Sequence, residues 1–152
     1  MIFKLFLVLI IGLFLLFPVM AIRDYETIDD FFDDIPSLNE ELQSSEVIIP
    51  KPANLFINNG NILIDITADE GEVKEFYFSI ENKKVANILI GKPEKFKYII
   101  STNENIANEI ITSEDKIQTI LLHYKNNEIN VKAIRLQDKI KFSFVKIFLK
   151  SL

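Results

Sequence analysis

From Asn54 to Ile100 the apolar residues of this chain recur at every second position and are broken by short polar turns. A period of two puts alternate side chains on opposite faces of a strand, so this stretch must build a sheet with one buried face. Leu55 to Ile57 and Ile62 to Ile66 flank Asn58-Asn59-Gly60-Asn61, and Asn-Gly predicts a hairpin because both central residues of a type I′ turn need positive φ. Asp69-Glu70-Gly71 turns the chain into Val73 to Ile80, and Glu81 to Lys84 forms a tip before Val85 to Ile90 returns. On paper Phe76, Phe78 and Ile80 join Ala86, Ile88 and Ile90 in one apolar face, with Tyr77, Ser79 and Asn87 on the other. Gly91-Lys92-Pro93 ends that strand, and Phe96 to Ile100 makes the next.

The period then becomes helical. Ser101-Thr102-Asn103-Glu104 has the form of a capping box and predicts a helix carrying Ile106, Ile110 and Ile111. A second start at Ser113 leads to Ile117, Ile120, Leu121 and Tyr124 at helical spacing, and Asn126-Asn127 stops it. Ile129, Val131 and Ala133 alternate as a closing strand. In the tail from Asp138, Ile140, Phe142 and Phe144 suit a strand, whereas Ile140, Phe144, Ile147 and Phe148 suit a helix; helix is the reading for its second half.

Upstream, three segments divide the chain: 1–22, 23–53 and the α+β domain 54–152. Leu5 to Ile22 is an uncharged run of 18 residues behind Lys4. At about 1.5 Å per residue such a helix nearly crosses a hydrocarbon layer of about 30 Å. Pro18 breaks the run, and Val19-Met20-Ala21 places small residues where a signal peptidase reads them, so segment 1–22 is a cleaved signal peptide or an uncleaved transmembrane anchor. Either way the rest of the chain is expected outside the cytoplasm, secreted or membrane-anchored. Arg23 to Ser45 holds eight carboxylates against one arginine. Within it Ile28, Phe31, Phe32 and Ile35 predict a short amphipathic helix, and Pro36, Pro50 and Pro52 punctuate a linker. Asp29, Asp30, Asp33 and Asp34 lack the spacing and glycine of an EF-hand loop and read as a solvated face.

The chain has no cysteine, which excludes disulfides, thiol catalysis and zinc–thiolate sites. A formal charge of -5 argues against nucleic acid as a partner, since that binding needs clustered cations. His123 is the only histidine, and the four glycines are isolated, so neither a Ser-His pair, a histidine-based metal site, a P-loop nor a dinucleotide fingerprint is present. No cofactor is implied. The expectation is a non-catalytic protein.

The order of elements in NILIDIT, EFYFSIENKKVANILI, FKYIISTNENIANEII and NEINVKAI, followed by the tail KIKFSFVKIFLK, resembles the sterol-carrier-protein-like family over about Asn61 to Leu152. Two glycines usual in that family are replaced here, one by Ile111-Thr112-Ser113 and one by Ala133 or Ile134. The resemblance implies a largely antiparallel, curved, five-stranded sheet covered on one face by helices, with an apolar cavity for a lipid or isoprenoid between them. The residues that would line it are Phe76, Phe78, Ile80, Tyr98 and Ile100 on the sheet, and Ile117, Ile120, Leu121 and Tyr124 on a helix. Phe142, Phe144 and Phe148 would close it. The competing reading is a cell-surface structural or protein-interaction domain in which the same stripes are ordinary core.

Overall fold

A computed structural model describes residues 23–49, 59–135 and 139. Their order is α1 (Ile28–Ser44), β1 (Gly60–Thr67), β2 (Val73–Glu81), β3 (Lys84–Ile90), β4 (Tyr98–Asn103), α2 (Glu104–Thr112), α3 (Lys116–Lys125) and β5 (Asn130–Ala133). The five strands form an open sheet in the order β3-β2-β1-β4-β5. Every neighbouring pair is antiparallel except β1 and β4, which run parallel, so the fold is α+β with a largely antiparallel sheet as the sequence implied.

Register follows the alternation. Ile62 lies between Phe78 and Tyr98, and Ile64 between Phe76 and Ile100, so one face is a continuous apolar surface across the three central strands. Val131 opposite Ile100 and Ala133 opposite Tyr98 extend it to β5. The β2–β3 tip turns through Asn82 and Lys83 at φ 51° and 65°, the paired left-handed geometry of a type I′ turn.

Four local expectations are corrected. Gly60 opens β1 opposite Ile80 instead of turning a hairpin, and Leu55 to Ile57 fall outside the described residues. A bulge at Ser79/Ile80 pairs Ile80 with Val85 and Ser79 with Asn87, so Ala86 is the extra residue and Val85 with Ile88 are the ones buried. Ile90 stays on the apolar side opposite Phe76, yet at the sheet edge it is 62% exposed. Finally, both later helices start two residues after the predicted caps, at Asn103 and Asp115, whose side chains accept from Ile106 N (2.9 Å) and Gln118 N (3.0 Å).

The helix in the acidic segment is longer than predicted: α1 has 17 residues and runs straight through Pro36. Thr27 caps it, with Asp30 reaching back to Thr27 N at 2.8 Å. A proline inside a helix costs about 3 kcal/mol. Against it, Ile28, Phe31, Ile35, Leu38 and Leu42 are all buried, and five large apolar side chains contribute on the order of 10 kcal/mol as an upper figure. Burial wins, and Pro36 lies inside a helix rather than in a linker. The apolar stripe of α1 docks on the sheet and shares one core with it, so this part of the acidic segment packs with the domain.

Edge strand β3 is covered by the same region. Val85 N donates to Val47 O (3.0 Å) and Ile49 N to Lys83 O (2.8 Å), while the Asn39 carboxamide bonds both the carbonyl and the N–H of Ile88 at 2.6 and 2.8 Å. One side chain thus stands in for a missing strand. Lys74 of β2 ties Asp29 of α1 (2.6 Å) to Glu104 of α2 (2.9 Å), and both carboxylates hold its ammonium above the usual lysine range.

Candidate functional site

The apolar face of the sheet is covered in two different ways. Over the β2–β3 half, α1 packs closely on β3, and its aromatic residues interlock with those of β2. Phe31 meets Phe76 with ring centroids 5.0 Å apart, Phe32 meets Phe76 at 5.4 Å, and Phe76 meets Phe78 at 5.5 Å, all edge to face. Phe31, Leu38, Phe78, Ile80 and Ile88 are fully buried there. That half is filled by the chain itself.

Over β4 and β5 the cover is α2 and α3. Ile106, Ala107, Ile110 and Ile111 of α2 are buried, and α2 touches both β4 and β1. Helix α3 packs on α2. Its Ile120 is fully buried in the same apolar core as Tyr98, Ile100, Val131 and Ala133 of the sheet, and Leu121 and Tyr124 lie partly buried against that core. Burial pushes the Tyr124 hydroxyl above the ordinary phenol range. The candidate site is therefore the region between α3 and the β4–β5 half of the sheet.

The sequence-predicted lining residues divide between these halves. Phe76, Phe78 and Ile80 are engaged by α1 and its surroundings, while Tyr98, Ile100, Ile120, Leu121 and Tyr124 face the second region. Ile117 belongs to α3, with its side chain outside the description, and Phe142, Phe144 and Phe148 lie outside the described residues.

Sequence reasoning missed the role of His123. Noted there only as the sole histidine, it is buried, with Nδ1 2.8 Å from Glu128 and Nε2 3.1 Å from Glu109. The Glu109 contact has ion-pair distance without hydrogen-bond alignment, leaving Nε2 unsatisfied. The His123 bond holds the Glu128 carboxyl below the usual range, against a smaller opposing effect of desolvation. This row of Glu109, His123 and Glu128 links α2, α3 and the approach to β5 around the candidate site. No signal in the sequence could find it, because its partners lie 14 residues before and 5 after the histidine.

A surface cleft of about 460 Å³ lies between Asp24–Glu26 and the turn from Ile111 to Lys116. Lys116 Nζ is already engaged there by the carbonyls of Ile111 (2.7 Å) and Ser113 (2.9 Å). With polar walls, it offers little to an acyl chain. Among the described residues no cluster of three or more His, Asp or Glu side chains is placed to hold a metal ion, and no helix is long and apolar enough to cross a membrane.

No protein-family model matches the chain, and no curated protein matches it. Solved structures do. Sterol carrier protein 2 from Yarrowia lipolytica, in its apo form, is 13% identical over 68% of this chain and 84% of its own, with a TM-score of 0.46. The crystal structure of sterol carrier protein 2 like 2 from Aedes aegypti is 9% identical over 79% and 94%, with a TM-score of 0.48. The solution structure of the palmitated form of that mosquito protein is 8% identical over 80% and 93%, at 0.47. All three are sterol carrier protein 2 or sterol-carrier-protein-2-like domains.

Proposed function

We propose that this protein is a non-catalytic, extracytoplasmic domain that binds a lipid or other apolar ligand between α3 and the β4–β5 half of its sheet. One observation carries the reading: Ile120 on α3 and Tyr98 and Ile100 on β4 are buried in one apolar core, with Leu121 and Tyr124 of α3 partly buried against it. Tyr98 and Tyr124 add amphipathic aromatics to an otherwise aliphatic lining, the composition of small-molecule sites. The extracytoplasmic address draws on the uncharged run Leu5 to Ile22 and the Val19-Met20-Ala21 ending.

Native mass spectrometry of the full chain, purified from its own membranes and separately mixed with total lipid extract, tests the ligand directly. A bound lipid in a one-to-one complex is the expected result. A bare chain under both conditions would remove the carrier reading. It would favour the second one, a surface interaction domain, for which Ile48, Leu89 and Ile90 are exposed along the β3 edge.

A further inference from the structure

His123 has a carboxylate at each ring nitrogen, Glu128 at 2.8 Å from Nδ1 and Glu109 at 3.1 Å from Nε2. A neutral imidazole carries one N–H, so it can donate to one of these and must turn a lone pair toward the other. Only the imidazolium donates to both. The ring is buried, and Nε2 has no aligned hydrogen-bond partner. A proton on Nε2, paired with Glu109, satisfies that atom with a charge-assisted bond.

The two contacts differ in what else supports them. The turn that carries Glu128 is fixed by its backbone: Glu128 N and Ile129 N donate to His123 O (2.9 and 3.3 Å), Asn127 takes the left-handed conformation at φ 62°, and Thr102 Oγ1 of β4 reaches Glu128 O at 3.3 Å. A neutral ring can keep the Glu128 bond through Nδ1–H. The Glu109 contact joins two helices and depends on the charge of the ring. At its other end α3 is tied to α2 without the histidine, by Ser113 Oγ and Thr119 Oγ1 (2.7 Å) and by Lys116 Nζ on the carbonyls of Ile111 and Ser113. Hydroxyl and ammonium groups do not ordinarily change charge between about pH 5 and 8, whereas an imidazole does. Among the described residues, Glu109 from α2 and Glu128 from the turn before β5 are the ionisable groups in ion-pair reach of the ring, and Tyr124 and Lys125 are its neighbours along α3.

We propose that Glu109, His123 and Glu128 form a proton-operated latch: the charged imidazole clasps both carboxylates and holds α3 shut over the candidate site, and the neutral ring releases Glu109 and loosens α3. Mild acid therefore closes the site and mild base opens it, above the range near 4.3 in which glutamates ordinarily take up protons themselves. The latch stands on the geometry of the row; its effect on a ligand rests on the reading proposed above.

The test uses the untagged full chain in phosphatidylcholine nanodiscs, compared at about pH 5.5 and about pH 8. Hydrogen exchange of the α3 amides, corrected for the intrinsic pH dependence of exchange, reads the latch. Transfer of a fluorescent fatty-acid methyl ester, whose charge does not change with pH, to acceptor vesicles reads the gate. In the native chain α3 should be about tenfold better protected in acid and transfer about tenfold slower, with protection of α1 unchanged. Glu109→Gln, at a side chain 58% exposed, should erase both differences, while Glu114→Gln, at an exposed carboxylate in the α2–α3 turn, should keep both. Because His123 is the only histidine, its ring resonances follow the proton directly and should titrate in step with α3 protection. Equal α3 protection at the two pH values, an undiminished difference in Glu109→Gln, or a parallel change in α1, which would mean global softening, would each overturn the latch. Unequal protection with equal transfer would overturn the gate. A chain that fails to load the ester at either pH would remove the ligand reading, while exchange still decides the latch.

Discussion

The two halves of the sheet are built from the same kinds of residues and covered differently. Over β2 and β3, α1 lays Phe31, Ile35, Leu38 and Leu42 straight onto the strands, and the aromatic rings of Phe31, Phe32, Phe76 and Phe78 interlock. On the other side α2 contacts β4 and β1 and α3 packs on α2, with Glu109, His123 and Glu128 at its margin. An apolar stripe therefore does not identify a ligand site.

Substitutions can break this contrast. The largest effect belongs to Phe31→Ala, which removes a fully buried ring with three aromatic neighbours; chemical denaturation should show a loss of about 3–5 kcal/mol. A loss below about 1 kcal/mol would mean that the first half is not solid. Enlarging side chains probes the same point with the opposite sign. Ile80→Phe should cost about 1–3 kcal/mol by overpacking, whereas Ile120→Phe should cost less and displace ligand. Comparable destabilisation by the two would erase the difference between the halves.

Asn39→Ala removes both bonds to the Ile88 backbone at the covered edge and should cost about 1–3 kcal/mol. It should also raise the tendency to self-associate, measured by light scattering. The smallest effect is pH-dependent. The His123 bond depresses the Glu128 carboxyl in the folded state, so its contribution is present above the ordinary glutamate value of about 4.3 and lost as pH falls through the folded value. Accordingly, the melting-temperature gap between the native chain and Glu128→Gln should be widest near neutrality and close in acid; a gap independent of pH would contradict this link.

Strand positions were legible in the sequence because alternation is local: Ile62, Ile64 and Ile66 show their buried face without reference to anything else. The strand-adjacent helices were legible too, from the spacing of Ile106, Ile110 and Ile111. The bulge was not, since it depends on pairing between Ser79 and Asn87 across the hairpin, and it moves burial from Ala86 to Val85. Nor was the continuation of α1 through Pro36, where tertiary burial of Leu38 and Leu42 overrides a local helix breaker. Aspartates that looked like a solvated face turn out to be specific: Asp29 meets Lys74, Asp30 caps the helix, and Asp34 holds Arg23 and Tyr25. Long-range partners of this kind leave no periodic trace.

Location of the ligand decides between the halves most directly. The full chain, loaded with a diazirine-bearing fatty acid, irradiated and digested, should carry label on peptides from α3 and from β4–β5, around Tyr98, Ile100, Ile120 and Tyr124. Label concentrated instead on α1 and β2, around Phe31 and Phe76, or spread without preference over the surface, would contradict the assignment.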